Sequence, residues 1–560
     1  MSEAAARHRS VARHPTKRGV LCLAHLRRSA GMTILLASLV RCPVAAQSGA
    51  SNQERLLLDA ARAWITNSEL EAHTRFLASD PLMGRAPGTQ GGLVTAQYIA
   101  SQFERIGLEP GGNEGTYFQR VPLMGLTPHP VVLVGNGATA MALSYPDDFV
   151  AKPERPDRFL VSGGNVVFVG YGIQAPELDW DDFKDLDISG RVLLMLPNDP
   201  GYADPDIFDG ARPTPYGDLG YKLEQAESLG AAGVFFVHSE SALVPWEVIR
   251  NRWNREIVLP IQEGGEGQLD FTGWMSQAAA EKIASSSGFD WNVLQRRASL
   301  REFRPAELDY HLAIDIASET RTFEASNVVG MIRGNEFPER SVIVTAHHDY
   351  LGVARGTRMD SIFNGARATA ANVAALITMA GAYTAAGIST PATLRFVAST
   401  AGESGGLGIE SFLWSLAARH ESPQAAIVFE EANLWGPTAD ISVWGDDSIE
   451  TDPVIQRAAN LEGLLPVPAE PKFNVIHLGD ALGALGAARV PYAAIGAGRR
   501  LPGGAPSARD LAIDAYYERH FSRTSDNMLS DFDFDGLRSQ IRFAVVLAWE
   551  LANLPATTSN

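Results

Sequence analysis

After Ser326 the sequence alternates between short apolar runs of strand type and longer helical stretches, and this alternation constrains the fold most. The strand candidates are NVVGMI, SVIVTAH, TLRFVAST, AAIVFEE, DISVWG and VPYAAIG. Helical candidates lie between them at about 366–386, 408–419 and 453–462, and a last helix is indicated by apolar residues at 537, 541, 544, 548 and 551. The pattern predicts an α/β domain with a mixed, mostly parallel sheet flanked by helices. Ligands of such sheets bind beyond the carboxyl ends of the strands.

The first 46 residues have a different character. They contain eight Lys or Arg residues, an apolar run at 32–40 and the small residues Val44-Ala45-Ala46. This order is typical of a secretory signal peptide, and the apolar run is too short for a permanent membrane span. We therefore expect a secreted or periplasmic protein. Its mature form would contain no cysteine, because Cys22 and Cys42 both lie in this segment.

Composition limits the classes of partner. A chain of 560 residues with 45% hydrophobic and 20% charged residues is expected to fold into two or three domains. The net charge of −18 becomes −25 when the signal segment, with its net +7, is removed. Such an acidic protein is not expected to bind nucleic acid or anionic membranes. A peptide or protein ligand and the oligomeric state are left open.

Two further regions precede the alternating part. Residues 47–127 form mainly helical patterns, such as GGLVTAQYIASQFERIGLEP. From 128 to 320 short strand-like runs (VVLV, NVVFVGYG, RVLLMLP, GVFFVHS) are separated by turn-rich acidic stretches, with one helical stretch, YKLEQAESLGAAG. We interpret 128–320 as an inserted β-rich module and 321–560 as the main α/β domain.

Four loops after predicted strands carry polar residues suited to chemistry. A His-x-Asp pair directly after a strand is a fair indication of a metal site, whereas single carboxylates at strand ends are common. The candidates in these loops are His347, His348 and Asp349, then Asp360 in DSIFNGARATAAN, then Glu403 in TAGESGG, and finally Glu430 and Glu431 in FEEANLWG.

In this order the motifs resemble the dinuclear-zinc aminopeptidases of metallopeptidase family 28, in the branch with a protease-associated domain insertion. The resemblance spans 70–549 and includes FLASDPLMGRAPGTQGG, VGYGIQAPELDWDDFKDLDISGRVLLMLPNDPG, AHHDYLG, DSIFNGA and the terminal TSD. It implies the zinc-aminopeptidase fold, with 128–320 as the protease-associated domain. In that family two zinc ions share a carboxylate and an activated water, and a separate Glu takes the water's proton.

Carried over by position, the resemblance implies only part of the zinc site. His347, Glu403 and Glu430 stand at ligand positions, and Asp349, Asp360 and Asp526 at positions of supporting acids. Arg367 stands where the family has the bridging Asp, Gly402 where it has the general base, and Ser522 where it has the last His ligand. The family's pocket Ser-Asp-His motif also lacks its His near Asp480.

These replacements predict a pseudo-peptidase with no intact catalytic set, which keeps the fold and a peptide-sized cleft. Gly402 has no group that can move a proton, and Arg367 places a permanent positive charge at the bridging position. We expect no zinc cofactor, and we expect Arg367 to replace the metals by pairing with Glu403, Glu430 or Asp349.

Two other functions remain open. One is an active aminopeptidase with a single zinc on His347, Glu403 and Glu430, with His348, His477 or His520 as additional candidates. The other is a peptide-binding or scaffolding protein. A serine hydrolase is disfavoured, because the sequence has no G-x-S-x-G motif.

Overall fold

A computed structural model describes residues 51–555 except 137–139, 156–158, 185, 203, 212–213, 243, 262–268, 356–359, 446–451, 469–480 and 503–506. The predicted signal segment, 1–46, lies outside the described residues. No helix in the described part is both long and apolar enough to cross a membrane.

The helices and strands predicted after Ser326 are present, whereas residues 128–320 contain four helices where the sequence indicated one. The helices are α1 Asn52–Trp64, α2 Asn67–Leu77, α3 Gln90–Arg105, α4 Leu219–Ser228, α5 Trp246–Trp253, α6 Gln277–Ser286, α7 Trp291–Ala298, α8 Ala371–Ala386, α9 Leu407–Ala418, α10 Pro453–Glu462, α11 Ala481–Ala487, α12 Ser507–Arg519 and α13 Asp535–Ala552. The strands are β1 Glu109–Pro110, β2 Phe118–Gly135, β3 Ala140–Leu143, β4 Phe149–Pro153, β5 Phe159–Phe168, β6 Gln174–Ala175, β7 Trp180–Asp181, β8 Val192–Met195, β9 Phe208–Ala211, β10 Gly233–Val237, β11 Ile257–Pro260, β12 Phe271–Met275, β13 Ala306–Ile332, β14 Phe337–His347, β15 Ala392–Ser399, β16 Ser422–Phe429, β17 Asp440–Trp444, β18 Leu465–Val467 and β19 Tyr492–Gly496.

The part after Ser326 forms a mixed, mostly parallel sheet in the order β18-β17-β19-β16-β14-β15-β13. Strands β14, β15, β16 and β19 are parallel. Strand β13 is antiparallel to β15, and β17 is antiparallel to β19 but parallel to β18. Helices α8 and α13 pack on β14, β15 and β16. Helix α9 buries Ile409, Phe412 and Leu416 against alternate residues of the same strands. The predicted α/β class is confirmed.

Two unusually long strands connect this sheet to the inserted region. Strands β2 and β13 pair antiparallel from Val328↔Phe118 to His311↔Gly135. At its carboxyl end β13 also pairs with β15 of the main sheet, and near its amino end it pairs with β5 of the inserted region. Both predicted domain boundaries, 127/128 and 320/321, fall inside these strands, because the sequence pattern did not reveal their length.

In the inserted region the same sheet continues from β13 in the order β5-β8-β10-β12-β4. The first four strands are parallel, and β4 is antiparallel to β12. Helices α6 and α7 contribute Ile283 and Trp291 to an aromatic core that includes Phe168, Phe235 and Phe271. The region is therefore mixed α/β in architecture. Its assignment as a protease-associated domain stays a prediction.

Candidate active site

His347 and Asp349 lie where the sequence places them, at the carboxyl end of β14. His347 Nδ1 is 3.4 Å from Asp349 Oδ1. Asp349 is fully buried and accepts hydrogen bonds from the N–H groups of Gly402 (2.8 Å) and Glu403 (3.4 Å). Burial alone would raise the pKa of Asp349, but the hydrogen bond and charge of His347 lower it. Asp349 thus joins the loop after β15 to the histidine.

Gly402, at the position of the family's general base, is closely covered by His347. A β-carbon built on Gly402 would lie 2.3 Å from His347 Cγ and 2.4 Å from its Cβ. Real β-carbons do not approach other atoms so closely, and the histidine ring would have to move to admit any side chain. The volume beside residue 402 is therefore filled by imidazole.

Glu403 is held by arginines from the inserted region. Its carboxylate is 5% exposed and forms an ion pair with Arg252 of α5. The Arg255 Nη2 group donates to the Glu403 carbonyl at 2.8 Å. Burial lowers the pKa of Arg255, and the charge of Glu403 opposes this shift. The retained ligand position thus faces a guanidinium group.

Arg367 forms a second buried ion pair. The side chain is 2% exposed, and its Nη2 donates to Glu431 Oε1 at 2.8 Å, while its Nε donates to the Ala432 carbonyl at 3.1 Å. Glu431 accepts two further hydrogen bonds, from the Tyr517 hydroxyl (3.0 Å) and the Ala497 N–H (3.2 Å). Both charges are therefore paired and hydrogen-bonded, as buried charges must be to avoid a large desolvation cost.

Aromatic rings surround the same guanidinium. Its Cζ lies 4.1 Å from the Trp435 ring centre, 4.4 Å from that of Tyr516 and 5.3 Å from that of Tyr517. Burial by itself would lower the pKa of Arg367, but Tyr517, the Glu431 carboxylate and Tyr516 raise it above its ordinary value. Arg367 is therefore a fixed cation in an aromatic cage.

The predicted partner of Arg367 is wrong. The sequence predicted Glu403, Glu430 or Asp349, and the guanidinium instead pairs with Glu431. Glu431 lies only one position beyond Glu430, just past the end of β16, and successive side chains of an extended chain point in different directions. Counting along the sequence could not decide which of two adjacent glutamates faces the arginine.

Glu430 and Ser522, at the other ligand positions, are both buried. The Glu430 carbonyl accepts a hydrogen bond from Asn372 Nδ2 at 2.9 Å. The Ser522 N–H donates to the Tyr350 hydroxyl at 3.2 Å, and Ser522 Oγ has no hydrogen-bond partner among the described residues. A serine at 522 leaves no imidazole to reach toward Glu430.

Asp526 is fully buried and holds the turn that leads into α8. Its carboxylate accepts hydrogen bonds from the N–H groups of Arg367 and Ala368, each at 3.1 Å, and from the Tyr516 hydroxyl at 2.8 Å. Burial raises the pKa of Asp526, although these bonds oppose the shift. Asp526 therefore fixes the backbone from which Arg367 projects.

The remaining candidates are not brought together by the contacts described. Asp360 is exposed, and its Oδ1 accepts a hydrogen bond from the Ile362 N–H at 3.2 Å. His348 is buried, with Nε2 3.0 Å from the Ser326 carbonyl, and His520 Nδ1 is 3.1 Å from Ser525. The positions of His477 and Asp480 lie outside the described residues.

The described residues at the implied zinc positions do not fit a two-zinc centre. Within the described ranges, no three His, Cys, Asp or Glu side chains converge closely enough to hold a metal ion. The bridging position holds the buried cation of Arg367, and Glu403 is paired with Arg252.

Sequence reasoning missed Arg252, Arg255 and the aromatic cage. The adjacent Tyr516 and Tyr517 shortly before Ser522 were the only local signal, and Arg252 lies 151 residues from Glu403.

Together the mixed sheet, the His-x-Asp pair at a strand end and the neighbouring carboxylates are the framework of a metallopeptidase-type α/β protein. Residues 327–470 match the family model described as Peptidase family M28. This segment, about a quarter of the chain, is similar to that family. No curated protein matches the chain significantly.

Solved structures share the fold. An aminopeptidase from Aneurinibacillus sp. strain AM-1 is 14% identical, with a TM-score of 0.51, over 88% of this chain and 96% of that one. A peptidase M28 precursor from Shewanella amazonensis SB2B is 15% identical, with a TM-score of 0.45, over 90% and 96%. BSAP, a zinc aminopeptidase from Bacillus subtilis, is 13% identical, with a TM-score of 0.44, over 88% and 94%. The first likeness concerns the fold alone, and the TM-scores of the other two are too low to add to it.

Proposed function

We propose that this protein is an exported member of peptidase family M28 that has lost metal-dependent peptide hydrolysis and acts by binding a peptide-sized ligand. The observation that carries the proposal is the buried Arg367–Glu431 ion pair at the position of the family's bridging carboxylate. Export rests on the sequence of residues 1–46.

The charge of Arg367 opposes a dinuclear metal site. A bridging carboxylate supplies negative charge between two dications, whereas a guanidinium at that position repels them, and the repulsion is strong where water is excluded. Arg367 cannot lose its proton to relieve this repulsion, because its pKa is raised further above its ordinary high value. The cage of Trp435, Tyr516 and Tyr517 keeps the cation in place.

Loss of the general base supports the same proposal. Hydrolysis in this family needs a carboxylate to take a proton from the attacking water, and Gly402 offers none. The His347 ring fills the volume beside Gly402 and leaves no room there for a carboxylate from another described residue. Glu403, the next residue, is engaged by Arg252.

The test is the metal content of the mature chain. Protein starting at residue 47, without a histidine tag, is dialysed against trace zinc and analysed for metal, beside a His347→Ala variant. We expect below about 0.1 equivalent of zinc in both proteins. We also expect no release of N-terminal residues from aminoacyl p-nitroanilides. One or two equivalents in the wild type that are lost in His347→Ala would overturn the proposal.

A one-zinc aminopeptidase is the second candidate, and one contact favours it. Asp349 Oδ1 lies 3.4 Å from His347 Nδ1, which resembles the carboxylate–histidine arrangement that orients zinc ligands. His347, Glu403 and Glu430 would be the ligands, and zinc would supply an activated water. A single equivalent of zinc, abolished by His347→Ala and accompanied by peptidase activity, would select this candidate.

A further inference from the structure

A cavity of about 360 Å³ lies beside the start of α3, between the inserted region and the loop after β14. Its apolar walls include Met83, Pro87, Val258, Leu351 and Val353. Arg255 and Arg355, both partly buried, also line it. The size is within the range of small-molecule sites, which are mostly apolar with a few fixed polar groups.

Neither arginine forms an ion pair with a carboxylate among the described residues, although the charges of Glu403 and Asp349 act on Arg255. Arg255 donates through Nε to the Arg252 carbonyl at 2.9 Å and through Nη2 to the Glu403 carbonyl. Arg355 Nη2 donates to the Thr127 hydroxyl at 2.7 Å. These acceptors are neutral oxygens, so the cavity has two guanidinium groups without an ion-pair partner among the described residues. This is unexpected in a chain with 65 acidic and 47 basic residues.

The acidic residue that lines the cavity is already engaged. Glu256 forms a two-point ion pair with Arg321, with both contacts at 2.6 Å. Glu256 is therefore balanced by Arg321 and is not the ion-pair partner of Arg255 or Arg355.

The amino-terminal end of α3 adds positive electrostatic potential beside the cavity. Thr89 caps α3, and Thr89, Gln90 and Gly91 line the cavity. The first turn of this 16-residue helix contains no acidic residue. The N-terminal end of a helix carries a partial positive charge and stabilises anions.

We propose that this cavity binds a carboxylate that carries a small apolar group, either the C-terminal residue of a peptide or a free organic acid. Arg255 and Arg355 bind the carboxylate, and the wall formed by Met83, Leu351 and Val353 contacts the apolar group. The site goes beyond the proposed function, because it needs neither the presence nor the absence of zinc.

The test is calorimetric binding to the full mature chain in EDTA. The probes are N-acetyl-Ala-Leu with a free carboxyl group, its C-terminal amide, 4-methylpentanoate and 4-methylpentanol. We expect at least one acid to bind about tenfold or more tightly than its neutral analogue, because charge-assisted hydrogen bonds need the carboxylate. Binding of the peptide acid alone identifies a peptide C-terminus, and binding of 4-methylpentanoate identifies a free acid. Equal affinity for acid and neutral analogue, or no binding of either acid at millimolar concentration, would overturn the proposal.

Arg355→Gln is the primary variant, because the Arg355 side chain makes a single hydrogen bond with the described residues, to Thr127. It should weaken acid binding about tenfold or more and leave the circular dichroism spectrum unchanged. Arg333→Gln, an exposed arginine paired with Glu109, is the matched control and should bind as the wild type. Unchanged affinity in a folded Arg355→Gln variant would reject the site. Zinc content is measured separately, so failure of this proposal is distinct from failure of the pseudo-peptidase proposal.

Discussion

The imidazole of His347 lies directly against the α-carbon of Gly402, at a distance that leaves no room for a β-carbon. A β-carbon at position 402 would be 2.6 Å from His347 Nδ1 and 2.3 Å from Cγ. The packing of His347 therefore requires glycine at position 402. Glycine also has no side chain that could transfer a proton. A return of the family's glutamate at this position would need a different placement of the histidine.

Gly402→Ala should lower the free energy of unfolding by about 1–3 kcal/mol, because the ring of His347 or the backbone must shift. Unfolding in urea, followed by circular dichroism, measures the change. Gly486→Ala is the matched control, since a β-carbon there meets no atom within 4 Å in helix α11, and it should be neutral or slightly stabilising. In the His347→Ala background the cost of Gly402→Ala should largely disappear. The same cost in both backgrounds would contradict the steric account.

Arg367→Met should destabilise the fold by about 3–5 kcal/mol, because it leaves the Glu431 carboxylate buried without its counter-charge. The double variant Arg367→Met/Glu431→Gln should be more stable than Arg367→Met, since the stranded charge is gone. Arg367→Lys keeps the charge but loses the planar contact with Trp435, and its stability should fall between those of the wild type and Arg367→Met. Urea unfolding of the wild type, Arg367→Met, Glu431→Gln and the double variant gives the coupling energy, and additive effects would show that the pair is not coupled.

Arg252→Met should also destabilise the protein, by about 2–4 kcal/mol, because Glu403 is 5% exposed and loses its ion-pair partner. Arg250→Met, on the same helix, is the control. Its partner Asp147 is 72% exposed, and exposed pairs contribute about 0–1 kcal/mol. Thermal unfolding of both variants measures the difference. Equal small effects would mean that α5 does not hold the loop of Glu403.

Acid should destabilise the protein partly through His73, in α2. Burial lowers the pKa of His73, whose Nδ1 is hydrogen-bonded with the Tyr98 hydroxyl at 2.7 Å. Below pH about 6.5 the unfolded chain binds a proton at this position that the folded chain does not bind until a lower pH. The free energy of unfolding should therefore decrease as pH falls through this window, by at most about 1.4 kcal/mol per pH unit from this group.

The variant His73→Gln tests this contribution, because glutamine does not titrate. The difference in free energy of unfolding between pH 7.5 and pH 5 should be smaller in His73→Gln than in the wild type. His311→Gln, which changes an exposed histidine, should keep the wild-type difference. An unchanged pH dependence in His73→Gln would show that His73 takes up its proton equally in both states.

The sequence predicted the parts of the fold that depend on local pattern. Helix α10 has the expected bounds, because Asp452 caps it, Pro453 begins it and Gly463 ends it in a left-handed conformation. Strand β14 ends at His347, as its apolar run indicated. The sequence near these residues does not indicate that Arg252 pairs with Glu403 or that Arg367 pairs with Glu431. Each ion pair depends on how separate elements pack.

The shared strands β2 and β13 also determine how this protein can change over evolutionary time. An insertion joined by flexible linkers could be deleted or exchanged as a block without disturbing its host. Here a deletion of the inserted region would cut both strands in mid-length and leave their shortened remnants beside β15. Residues in the cleft can be replaced one at a time while the paired strands β2 and β13 remain intact. The paired strands therefore constrain the loss of the inserted region more than they constrain single substitutions in the cleft.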